Sequence, residues 1–122
     1  MKYVMLFAAA MLLACAPTMA QSSAKAKPEK GVKTASVKVY GNCGMCERRI
    51  EGALNELDGV RSAAWDAATG MLSVTYEAKK VTHLQVEEKV ASVGHDTDTV
   101  RAPDAVYDKL HGCCKYERPA KL

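Results

Sequence analysis

Gly41-Asn42-Cys43-Gly44-Met45-Cys46 decides the fold, because two cysteines three residues apart stand where the apolar pattern of the chain changes its period. Upstream, Thr34 to Tyr40 alternates, with Ala35, Val37 and Val39 on one face and Ser36, Lys38 and Tyr40 on the other, which predicts a half-buried strand. Downstream, Cys46, Ile50, Ala53, Leu54 and Leu57 recur at spacings of three and four, which predicts a helix with one apolar stripe. The two thiols are therefore expected on the turn into a helix N-terminus, where unpaired N–H groups and the helix dipole favour thiolate over thiol. Thiolates select soft ions, with Cu(I), Zn(II) and Hg(II) as the candidates.

Beyond the helix, Asp58-Gly59 closes the stripe. Val60 to Asp66 predicts a second strand with Ala63 and Trp65 on one face, and Trp65 is expected in the core. Ala68-Thr69-Gly70 supplies a turn, and Met71 to Glu77 a third strand with Leu72, Val74 and Tyr76 inward, so the pair is a hairpin. Thr82-His83-Leu84-Gln85 fits a capping box, and Val81 can meet Val86 as a hydrophobic staple. A second helix should start near His83, bury Val86, Val90 and Val93, and stop at Gly94. Thr97 to Arg101 is a short polar candidate for an edge strand. The order strand, helix, strand, strand, helix, strand is the split βαβ arrangement of an α+β, ferredoxin-like βαββαβ sandwich.

Cys43-Gly44-Met45-Cys46 after a strand, followed by Glu47-Arg48-Arg49-Ile50-Glu51-Gly52-Ala53-Leu54, resembles the heavy-metal-associated domain family over about Thr34 to Val100. That family includes small copper chaperones, N-terminal domains of metal-pumping P-type ATPases and the periplasmic mercuric-ion binding protein. The resemblance implies the same βαββαβ order, no enzymatic activity, and a soft ion held at Cys43 and Cys46, Cu(I) foremost, for delivery or sequestration. It also implies a metal-transporting membrane protein as a partner. The family usually writes Gly-Met-x-Cys-x-x-Cys, whereas only Asn42 separates Gly41 from Cys43 here. The apolar anchor of the loop is then missing or replaced by Met45.

His95 follows Gly94 where the resembling family often has Gly-Tyr, which makes its imidazole a candidate third ligand or proton-dependent modulator. His83 and His111 are expected to face solvent. Pro103 opens a short helix through Leu110, with Val106 and Leu110 on one side, and His111-Gly112-Cys113-Cys114 follows before a charged tail. Cys113 and Cys114 are adjacent and cannot easily close on each other. They are candidate metal ligands that add to the Cys43 and Cys46 site, form a second site with His111, or serve as cross-links. The rival function for the whole chain is thiol–disulfide exchange, although the thioredoxin-type CxxC belongs to a different strand and helix order.

Residues 1–20 carry Lys2, the apolar run Tyr3 to Ala14 and small residues ending Thr18-Met19-Ala20, the pattern of a cleaved export signal. Leu12-Leu13-Ala14-Cys15 offers the alternative of a lipid-anchored Cys15, which is the only membrane attachment the sequence suggests. Either way an exported, periplasmic location is expected. Removing residues 1–20 takes only Lys2 from the 17 basic residues and nothing from the 14 acidic ones, leaving 16 against 14. So weak a balance argues against nucleic acid as a partner. Residues 21–33 mix Lys25, Lys27, Glu29 and Lys30 with Ser, Pro and Gly and read as a tether, residues 34–101 as the domain, and residues 102–122 as the helix and Cys-Cys tail.

Overall fold

The computed structural model describes residues 29–121, so the expected export signal, Cys15 and most of the tether lie outside the described residues. Alternation produces the three strands where it was expected: β1 (Val32–Lys38), β2 (Val60–Trp65) and β3 (Met71–Glu77). They form an antiparallel sheet in the order β1-β3-β2, with β1 starting two residues before the expected domain boundary at 34. The register aligns Val37, Leu72 and Trp65 in one cross-strand row and Ala35, Val74 and Ala63 in the next. These rows face inward, whereas Ser36 and Ser73 face solvent. Two helices, α1 (Gly44–Asn55) and α2 (His83–Ser92), cover the apolar face. Ile50 and Leu54 of α1 meet Val86 and Val90 of α2 and Leu72 and Val74 of the sheet in a core that excludes water.

The capping box of α2 is formed on both sides: Gln85 N–H donates to Thr82 Oγ1 at 3.1 Å, and Thr82 N–H donates to Gln85 Oε1 at 2.9 Å. Val81 and Val86 are both buried beside it, as a staple requires. Val93, expected in the core, is only partly covered, because α2 ends at Ser92 and Gly94 turns the chain at φ 101°. Ala91 is buried instead, and so is Glu87, whose carboxylate accepts from Thr99 Oγ1. A Cβ at residue 94 would stand 3.0 Å from Leu110 Cδ2, so the glycine also admits the apolar residue that closes this end of the core.

The βαββαβ order holds, but its last strand is reduced to a single antiparallel bridge, Val39 to Thr97. Thr97 and Val100 bond to each other, with Thr97 N–H to the Val100 carbonyl at 2.9 Å and Val100 N–H to Thr97 Oγ1 at 3.0 Å, so the chain turns back instead of running along β1. A short helix α3 (Asp104–Asp108) follows with Pro103 at its cap, then one 3₁₀ turn at Gly112–Cys114.

The charged tail is not a loose extension. Tyr116 is buried, donates its hydroxyl to the Gly94 carbonyl at 2.8 Å and accepts from Asp96 N–H at 2.8 Å. Arg118 grips both oxygens of the fully buried Asp96 at 2.8 Å, and Ala102 N–H reaches the same carboxylate at 2.6 Å. Burial alone would raise the Asp96 carboxyl, but the Arg118 hydrogen bonds, then Ala102, more than offset it and hold it below the usual range. Exposed pairs such as Lys80 with Asp58 contribute roughly 0–1 kcal/mol each. Removing one partner of a buried pair costs more, because the other charge is stranded. Arg118→Ala should therefore lower the unfolding free energy by about 3 kcal/mol in urea, against under about 1 kcal/mol for Lys80→Ala. A folded-state carboxyl below its unfolded value of about 3.9 stabilises fully above that pH, and the contribution disappears as pH falls through the folded value. Arg118→Ala should accordingly lose less stability than the wild type between neutral pH and strong acid.

Candidate metal centre

The loop that carries the first thiol pair is seated by Trp65. Its indole Nε1–H is shared between the Val39 and Gly70 carbonyls, each 3.2 Å away, which ties the end of β1 to the β2–β3 turn. Gly41 lies on that ring: a Cβ there would stand 3.0 Å from Trp65 Cη2 and 3.1 Å from Cys46 Cβ. A side chain at residue 41 would require the indole or the loop to give by a few tenths of an ångström. Tyr40 is held on both sides of its backbone, its N–H by the Asp96 carbonyl at 2.9 Å and its carbonyl by His95 Nδ1 at 2.8 Å. The chain thus reaches the cysteines from a fixed direction.

Cys43 occupies the N-cap of α1 in an extended conformation, and its carbonyl accepts the first helical hydrogen bond, from Glu47 N–H at 3.1 Å. Its side chain makes no full capping hydrogen bond, but it faces the N–H groups of Cys46 and Met45, in that order of effect. They bring the Cys43 thiol down to about 7. Cys46 is fully buried, with Asn42 N–H pointing at its sulfur from 3.4 Å. The two Sγ atoms are 3.8 Å apart and unbridged.

The tail brings the other two thiols to the same place. Cys113 is exposed, its Sγ lies 3.4 Å from Met45 Sδ, and its carbonyl lies 3.5 Å from Cys43 Sγ. Cys114 is buried, and burial first, then the neighbouring Cys46 thiol, push its own thiol up to about 12. The sulfurs of Cys43, Cys113 and Cys114 all lie within 4.8 Å of one another.

His95 is not in that group. Expected in a loop beside the CxxC, it is instead fully buried and stacked on Tyr116 at 5.5 Å between ring centroids. Burial lowers its pKa, so the ring is neutral at pH 7 and Nδ1–H donates to Tyr40. Its Nε2 has no partner among the described residues. His83 is half exposed and 3.6 Å from Glu87, and His111 is exposed. Tyr116 and Arg118, which hold the tail in place, were not anticipated. The one available signal was the closeness of an aromatic and a basic residue to the Cys-Cys pair.

The heavy-metal-associated domain pattern matches residues 42–96. A zinc-transporting ATPase of Synechocystis sp. is 40% identical over 65 residues, which are 52% of this chain but only 9% of that protein. The copper chaperone CopZ of Staphylococcus aureus is 38% identical over 55 residues, 45% of this chain and 81% of the chaperone. A solved CopZ metallochaperone superposes with a TM-score of 0.52 at 35% identity, covering 53% of this chain and 98% of that one. Oxidised MerP from Ralstonia metallidurans, at 20% identity and a TM-score of 0.52, shares the fold. The pattern ends at Asp96, so Cys113 and Cys114 lie outside it.

The acidities of the thiols can be measured directly. In metal-free, reduced protein, iodoacetamide should label Cys43 with a pH midpoint of about 7 and leave Cys114 unlabelled below pH 9 until the protein is unfolded. Peptide mass mapping of samples quenched at each pH reads the order.

Proposed function

The chain belongs to the heavy-metal-associated domain family, and on that footing we propose that it captures a soft metal ion through Cys43 and Cys46 and delivers or sequesters it. Cu(I) is the foremost cargo, ahead of Zn(II) and Hg(II). The observation that supports this most is the geometry of the pair: an N-cap thiol brought down to about 7, 3.8 Å from a second sulfur, on a loop fixed by Trp65 and Asp96. Thiolate pairs favour Cu(I) among the ions a cell offers. The relation to copper chaperones points the same way, and the relation to a zinc-transporting ATPase supports a metal-transporting membrane protein as the partner.

The protein acts outside the cytoplasm in this reading, with residues 1–20 as its export signal and the residues from 21 to the start of β1 at Val32 as a tether. Among the described residues no helix is long and apolar enough to cross a membrane. Mass spectrometry of the mature protein should find Gln21 first. A diacylglycerol-bearing Cys15 would establish the lipid-anchored form instead.

A binding protein and a thiol–disulfide exchange protein both use an ionised Cys43, but only the first needs metal. Replacing Cys43 and Cys46 together by Ser should weaken Cu(I) binding at least a hundredfold in competition with a Cu(I) chelator. The far-ultraviolet circular dichroism should stay the same, because serine is close in size to cysteine and the strand and helix faces are filled by other apolar residues, although Cys46 is itself fully buried. Unchanged affinity would overturn the reading, and turnover of a disulfide substrate by metal-free protein would favour the exchange reaction.

A further inference from the structure

Cys113 and Cys114 have no part in a two-thiolate carrier, yet the fold places them against Cys43. A metal–thiolate bond of about 2.3 Å sets two sulfurs about 4.6 Å apart across a linear ion, about 4.0 Å apart in a trigonal set and about 3.8 Å apart in a tetrahedral one. Cys43 and Cys46 stand at 3.8 Å and Cys113 and Cys114 at 3.9 Å, the spacings of bent, higher coordination. Three sulfurs mutually within 4.8 Å need move inward by no more than about 0.5 Å each to share one ion at that bond length.

We infer that residues 111–118 form a ligand arm, in which Cys113 and Cys114 join Cys43 on the ion captured at the CxxC turn and give it at least three sulfur neighbours. The inference rests on the reading of Cys43 and Cys46 as the capture site and adds to it the number of ligands and the fate of the cargo. The arm is rigidly placed: Tyr107 Oη–H donates to the Tyr116 carbonyl, Tyr116 bonds Gly94 and Asp96, and Arg118 closes on Asp96, all at 2.6–2.8 Å. Met45, which touches Cys113, packs under the arm from the CxxC side. Each thiol that binds gives up its proton to solvent and no electron moves, so the chemistry is ligand exchange alone.

A two-sulfur ion is open to an incoming ligand, whereas an ion with three or more sulfurs exchanges only after one of them leaves. Cys113, exposed and on the outer side, is the sulfur a partner must displace, and Cys114 is sealed behind it. The arm therefore biases the protein toward retention. Arg118 is a positioning residue in this scheme, because it holds the arm without reaching the sulfurs.

The test uses the full chain loaded anaerobically with one equivalent of Cu(I). X-ray absorption should report three or four sulfur neighbours in the wild type and two in Cys113→Ser/Cys114→Ser, with affinity in chelator competition falling at least tenfold and transfer to the chelator accelerating. Arg118→Ala keeps all four thiols and should shift the sulfur count in the same direction, which a role in stability alone would not do. If burial of a serine at 114 prevents folding, Cys113→Ser carries the same expectation alone. An unchanged sulfur count and affinity in the arm variants, with binding still abolished by Cys43→Ser/Cys46→Ser, would overturn the arm and leave the capture site standing. Binding that survives both sets of variants would overturn both.

Discussion

Asp96 is the residue on which the arrangement turns. Its carbonyl takes the Tyr40 N–H, its own N–H meets the Tyr116 hydroxyl, and its carboxylate binds Arg118 and the Ala102 N–H. One fully buried residue thus joins the strand that leads into the cysteine loop, the segment after α2, and the C-terminal arm. Burying a charge is costly unless every oxygen is satisfied, and here both oxygens are engaged by a nearly buried guanidinium. The pair consequently specifies a single placement of the arm, since any other leaves a carboxylate stranded in the core.

From that anchor the properties of the sulfurs follow by position. Cys43 sits at the positive end of α1 and ionises easily, whereas Cys114 is packed in apolar surroundings and keeps its proton. A cation arriving at Cys43 would alter this order, because a nearby positive charge stabilises each further thiolate. The neutral His95 fits the same design. It is wedged against Tyr116 and bound to Tyr40, so it shapes the backbone behind the loop and contributes no charge to it.

The α+β order was legible because the residues that build it are periodic. Val37, Leu72, Val74 and Tyr76 repeat every second residue, Ile50 and Leu54 repeat by the helical turn, and Thr82 with Gln85 is a local pair. The CxxC turn was legible for the same reason, standing where one period gives way to the other. Features that depend on distant polar partners were not. Asp96 and Arg118 are separated by 22 residues, and nothing in the spacing of charges between them marks two as a buried pair. The missing length of the last strand has a local cause, the Thr97 to Val100 turn, which competes with pairing along β1. From the sequence, His95 reads as a loop ligand candidate, because its covering residue, Tyr116, arrives from the arm. The approach of Cys113 to Met45 depends on the same docking and was equally hidden.

Trp65 is the single tryptophan of the chain, buried and packed against Gly41 of the cysteine loop. Its shared Nε1–H bond and its water-free surroundings give the indole one environment, hence a narrow, blue emission band. Ions heavy enough to bind thiolates also quench excited indole rings at short range. An ion bound at the cysteine loop would thus dim the ring that seats that loop, an optical gauge with no dye or label attached.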